Sequence, residues 1–89
     1  MKEFKNKKVL ITGASKGLGR EISKEFDRLG STLILIARSE KLLNSIVRKS
    51  KNKRKHQIFS VDLFDGDNLK KTINTIKKRN KRIDIIIHC

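Results

Sequence analysis

The stretch Val9-Leu10-Ile11-Thr12-Gly13-Ala14-Ser15-Lys16-Gly17-Leu18-Gly19 decides how the rest of the 89 residues are read. A β-branched apolar run enters a turn with three glycines in seven residues, and the turn opens an apolar stripe of helical spacing. Such a turn offers free backbone N–H groups and the positive end of a helix dipole to an anion. A glycine there leaves room for a ligand to approach the backbone and for the helix to pack close to the sheet. A Walker A loop is excluded by spacing, because Leu18 stands where its second glycine would fall and no Gly-Lys-Ser/Thr follows.

Four apolar runs recur along the chain: Val9 to Thr12, Thr32 to Ala37, Gln57 to Val61 and Ile83 to His88. Each reads as a buried strand. Between them lie three stripes: Leu18, Ile22, Phe26 and Leu29; then Leu42, Leu43, Ile46 and Val47; then Leu69, Ile73 and Ile76. Each is one face of an amphipathic helix. Gly30 and Ser31 stop the first helix, Ser39 can cap the second, and Asp65 or Asp67 the third. The expected order is β-α-β-α-β-α-β, a Rossmann-like parallel sheet with helices on both faces.

The residues Thr12-Gly13-Ala14-Ser15-Lys16-Gly17-Leu18-Gly19 resemble the T-G-x-x-x-G-x-G fingerprint of the short-chain dehydrogenases/reductases. The second strand ends in Ala37-Arg38-Ser39, about 20 residues on, where a dinucleotide fold meets the adenosine ribose. An acidic residue there would accept from a free 2′-hydroxyl. Arg38, with Lys16 in the glycine turn, instead suits a 2′-phosphate, so NADP is favoured and Glu40 keeps NAD as the weaker choice. Val61-Asp62-Leu63 resembles the family's Asp-apolar pair beside the adenine, although an Asp opening a loop is also a common turn former.

The resemblance implies a cofactor site made of Thr12, Gly13, Ser15, Lys16, Gly17, Leu18, Gly19, Arg38, Ser39, Asp62 and Leu63. It also implies the strand order 3-2-1-4, which leaves Ile83 to Ile87 on a sheet edge open to pairing with another chain and prone to aggregation. The run Ile83 to Cys89 resembles the segment leading into the family's Asn-Asn-Ala-Gly motif, with His88 and Cys89 in the places of the two Asn residues.

The family's chemistry, hydride transfer between a nicotinamide and a carbonyl or alcohol, uses a Tyr, a Lys four residues on and an upstream Ser. The sequence contains no Tyr. Residues 1–89 are therefore expected to be the N-terminal, NADP-binding part of a larger reductase domain, with no catalytic residue assigned. Two other classes are compatible with the sequence. One is a non-enzymatic nucleotide-binding module; the other is a nucleic-acid binder that uses Arg48 to Lys55.

Composition sets the remaining bounds. The formal charge is +14, from 23 Lys and Arg against 9 Asp and Glu. Thirteen of the basic residues, and no acidic ones, fall in Arg48 to Lys55 and Lys70 to Arg82, leaving 10 basic against 9 acidic elsewhere. Both stretches are expected to lead into the N-terminal ends of strands, away from the ligand end. A solvated lysine-rich surface is the preferred reading of them, and nucleic acid is disfavoured as a partner. Four Phe as the only aromatics disfavour a base-stacking reader of single strands.

One cysteine, Cys89, excludes an internal disulfide framework or a cysteine-cluster zinc site. His56 and His88 have no neighbours at metal-ligand spacing, so no metal is expected, and both are read as structural or solvated. No apolar run approaches the ~18 residues of a membrane span, and a cytoplasmic location is the expectation.

Overall fold

The computed structural model describes residues 2–89. After a short 3-10 turn at Lys2–Phe4, the elements are β1 (Lys8–Thr12), α1 (Gly17–Arg28), β2 (Thr32–Ala37), α2 (Glu40–Arg48), β3 (Gln57–Ser60), α3 (Gly66–Arg79) and β4 (Ile85–His88). The four strands form one parallel sheet in the order β3-β2-β1-β4. Both the element order and the 3-2-1-4 topology match the expectation from the sequence.

Register explains why the apolar runs are continuous. Leu10 pairs with Ile34 and Ile86, and Ile11 with Leu35 and Ile87, so successive residues feed opposite faces of the sheet. On one face Val9, Ile11, Leu33, Leu35 and Ala37 pack with Leu43 and Ile46 of α2, joined by Ile22 and Phe26 of α1. On the other, Ile34, Ile36 and Leu10 pack with Ile76 and Leu69 of α3. β2 lies inside the sheet and is covered on both faces, which requires an uninterrupted Thr-Leu-Ile-Leu-Ile-Ala run.

The structure corrects several boundaries. Val61 lies beyond β3, although it is buried and its N–H still donates to the Ala37 carbonyl at 3.0 Å. Ile83 and Asp84 precede β4: the Asp84 N–H still donates to the Lys8 carbonyl, but its carboxylate takes the Lys8 N–H that a continued ladder would use. Leu18 is 71% exposed and so lies off the core stripe of α1, as a residue of the helix's first turn above the sheet edge. Ile73 is likewise exposed on α3. The stretch Lys70 to Arg82 runs along α3 rather than only beyond its end.

β4 is the edge strand expected. Its Ile86 is 69% exposed on the sheet face that α3 covers only farther along, beside Ile34 and Ile36. Among the described residues, no helix is long and apolar enough to cross a membrane.

Candidate functional site

The site is built where three strands end. β1 leads through Gly13-Ala14-Ser15-Lys16 into α1, β2 into Arg38-Ser39, and β3 into Val61-Asp62-Leu63. A groove of about 630 Å³ opens between these ends. Seven of the residues expected from the sequence line it: Gly13, Ser15, Lys16, Arg38, Ser39, Asp62 and Leu63.

Four do not. Thr12 instead ties β1 to β4, its hydroxyl meeting His88 Nδ1 at 2.5 Å and its carbonyl accepting from the Cys89 N–H at 3.2 Å. Gly17, Leu18 and Gly19 form the first turn of α1, and their side chains or Cα positions lie outside the groove wall. What they contribute is backbone N–H groups and, for the glycines, clearance.

That clearance has distinct causes. A Cβ on Gly19 would sit 2.1 Å from the Gly13 carbonyl oxygen, so this glycine lets α1 settle directly on the turn. A Cβ on Gly13 would meet the Cys89 carbonyl oxygen at 2.6 Å, so Gly13 makes room for the end of β4. At Gly17 nothing lies within 4 Å, but φ is +51°, which L side chains rarely adopt. Two of the three glycines thus serve protein packing, and only Gly17 faces open space.

The three helix N-termini are not equivalent. Ser39 Oγ accepts from the Leu42 N–H at 3.2 Å and caps α2; the Asp65 carboxylate accepts from the Asn68 N–H at 3.3 Å and caps α3. Each of those helices also carries an acid in its first turn, Glu40 and Asp67. α1 has neither a side-chain cap nor a first-turn acid, and Lys16 stands at its N-cap. Among the described residues, no cap and no first-turn acid neutralises its positive end.

Charge at the groove follows the same pattern. Lys16 and Arg38 are exposed, and among the described residues neither makes an ion pair. The loop holding Arg38 is nevertheless fixed, because Ser60 Oγ donates to the Arg38 carbonyl at 2.6 Å. Asp62 combines both readings made of it: its Oδ1 accepts from the Phe64 N–H at 2.9 Å, closing a turn, and the residue lines the groove.

Residues that the pattern alone did not single out complete the lining. Ile36, Ala37 and Val61 form its apolar floor, and Phe64 stands at the rim, 98% exposed. An aromatic directly after Asp62-Leu63 was the available signal for Phe64. No group of three or more His, Cys, Asp or Glu able to hold a metal ion occurs among the described residues.

A parallel 3-2-1-4 sheet with a groove at the carboxyl ends of its strands defines the Rossmann-like α/β class. The family model for short chain dehydrogenases matches residues 7–89. The chain belongs to the short-chain dehydrogenase family.

Among curated relatives, it is 37% identical over 87 residues to dehydrogenase/reductase SDR family member 7B of Xenopus tropicalis, covering 90% of this chain and 28% of that protein. It is 32% identical over 80 residues to the NADPH-dependent pterin aldehyde reductase of Arabidopsis thaliana, covering 90% and 33%. The chain thus spans about a third of the length of these relatives. Among solved structures, a short chain dehydrogenase from Shigella flexneri 2a complexed with NADP superposes with a TM-score of 0.87 at 30% identity, covering 100% of this chain and 39% of that one.

Proposed function

We propose that residues 1–89 form the NADP(H)-binding N-terminal part of a short-chain reductase. One observation carries this reading: the N-terminus of α1 has no cap and no acid, and it faces a groove flanked by two unpaired cations. A dinucleotide supplies the missing negative charge. The pyrophosphate would lie at the first turn of α1, against the N–H groups of Gly17, Leu18 and Gly19 and the hydroxyl of Ser15. Arg38 and Lys16 would take a 2′-phosphate, Ser39 would border the ribose, and Asp62 and Leu63 would border the adenine, with Phe64 as an added apolar wall.

The groups present fit this ligand. A glycine with open space at φ +51° borders the turn, and the groove volume lies within the ~300–1,000 Å³ of small-molecule sites. The NADP complex of the Shigella relative and the NADPH dependence named for the Arabidopsis relative support the choice of cofactor.

When bound, the nicotinamide supplies the hydride chemistry, which we assign to the whole protein acting on a carbonyl or alcohol. These 89 residues contribute binding and orientation. With no Tyr among them, they do not provide the family's acid/base tyrosine.

The test is fluorescence titration of the full chain with NADPH and with NADH. Binding of NADPH at least about tenfold tighter is expected, a difference of about 1.4 kcal/mol. Equal affinities would remove the 2′-phosphate role of Arg38, and absence of both interactions would overturn the reading.

A further inference from the structure

At the opposite end of the sheet lies a second charged feature that dinucleotide binding does not use. The α2–β3 connection, Arg48 to Lys55, has six basic residues in eight and no acid. Its backbone is held in place. The Asp27 carboxylate accepts from the Lys51 N–H at 2.9 Å and the Asn52 N–H at 3.3 Å, Ser50 N–H donates to the Val47 carbonyl at 3.0 Å, and Lys55 N–H to the Asn52 carbonyl at 2.9 Å. A pinned backbone presents its cations as a surface rather than as a free tail.

Two depressions that share no lining residue flank the last turns of α2. One, about 170 Å³, has Arg20 and Lys24 of α1 and Lys49 on its walls; the other, about 570 Å³, has Arg48, Lys53 and Arg54. Of these six cations, only Lys24 has an acidic partner among the described residues, Glu21 at 3.5 Å. Asp27, which also lines the smaller depression, has its carboxylate engaged by the loop N–H groups and by His56.

The other basic stretch behaves differently. On and after α3, the guanidinium of Arg79 lies 5.4 Å from the Phe59 ring centroid and Arg82 pairs with Asp84 at 2.9 Å. There, part of the charge is spent inside the protein.

Against the preference drawn from the sequence, we propose that the surface of α2 and the α2–β3 connection around Arg48, Lys53 and Arg54 binds the phosphate backbone of double-stranded nucleic acid, separate from the dinucleotide groove. A ridge of unpaired Arg and Lys on a fixed scaffold matches regularly spaced phosphates. No exposed aromatic lines either depression, so bases are not stacked and single strands gain nothing over a duplex. No large exposed apolar side chain accompanies the cations, so the face lacks the anchor of a membrane-surface helix. Binding is therefore independent of sequence and steeply dependent on salt.

The experiment measures anisotropy of a labelled 20-base-pair duplex with the full chain between 50 and 200 mM salt. It compares the triple variant Arg48→Gln/Lys53→Gln/Arg54→Gln with a charge-matched variant, Lys70→Gln/Lys71→Gln/Lys77→Gln, whose residues are exposed on α3. The first is expected to weaken binding by about tenfold or more and to flatten the slope of log K against log salt by about 2 to 3. The second is expected to change affinity less than about threefold, and saturating NADPH to leave it unchanged.

Equal losses in the two variants would mean that net charge alone drives binding, and would overturn the proposal. So would tighter binding to anionic phosphatidylserine vesicles than to the duplex, competition by NADPH, or no duplex binding at 50 mM salt.

Discussion

The two ends of the sheet treat their polar groups in opposite ways. At the carboxyl ends of the strands, the α1 N-terminus has no side-chain cap, Lys16 and Arg38 make no ion pair among the described residues, and the turn is shaped by glycines. At the amino ends, every buried side-chain polar atom among the described residues has a hydrogen-bond partner. Leu33 N–H donates to His56 Nδ1 at 3.0 Å, which fixes the ring tautomer, so Nε2–H donates to Asp27 at 2.8 Å. Asn80 accepts from Lys8 Nζ and from Gln57, and the Asp84 carboxylate accepts from the Lys8 N–H at 2.8 Å. A closed network stabilises the fold, and open valences are available to a ligand. The difference separates the residues that hold this chain together from those proposed to give it a function.

The largest effect should come from breaking the closed end. Asp27→Ala leaves two backbone N–H groups and the buried His56 Nε2–H unpartnered, and is expected to cost about 3 to 5 kcal/mol in urea denaturation. Its NADPH affinity, measured on the folded fraction, should match the unsubstituted chain. Loss of affinity without loss of stability would break the division between the two ends.

Acid should attack the same end. Burial raises the Asp27 carboxyl, but the Lys51 N–H, the His56 ring and the Asn52 N–H outweigh it and hold it below its ordinary value of 3.8. The Lys8 N–H, with help from Arg82, depresses Asp84 in the same way. Carboxyls depressed in the folded state stabilise it fully above their unfolded value, and that contribution is lost as pH falls through the folded one. Stability by urea denaturation should therefore be flat above about pH 5 and drop below about pH 4. In Asp27→Ala the remaining acid dependence should be shallower.

Gly19→Ala tests the junction of the two properties, because the methyl group would drive into the Gly13 carbonyl oxygen. A cost of about 1 to 3 kcal/mol is expected from displacing α1, together with a fall in NADPH affinity of about tenfold or more, by titration. Retained affinity would mean that the helix N-terminus is not where the phosphates lie.

The smallest effect on the fold belongs to the open end. Arg38→Ala should leave the melting temperature unchanged and weaken NADPH by about tenfold, or ~1.4 kcal/mol, with NADH unaffected.

Most of this architecture was legible in the chain. The β2 run and the three helical stripes dictate alternating strands and helices, and the glycine turn marks the strand from which the sheet is counted. Ser39 and Asp65 were readable as caps because a short polar side chain before an apolar stripe has few other uses. The failures were local. Leu18 has the spacing of a core residue but sits in the first turn of α1, above the sheet, where nothing covers it. Phe64 carries no periodicity, and its place at the groove rim depends on the turn that Asp62 closes.

By itself, the sequence determined the order of elements, the parallel sheet and the family, because hydrophobic period and glycine spacing are properties of neighbours along the chain. Only the tertiary structure decided what each polar residue does. Asp27 and His56 lie 29 positions apart, and the pattern singles out no role for Asp27 and leaves His56 as structural or solvated, yet burial makes them mutual partners. Gly13 reads as part of a ligand cradle, yet its missing side chain accommodates Cys89. Hydrogen bonds and steric clearance are settled between residues distant in sequence, and folding alone brings those residues together.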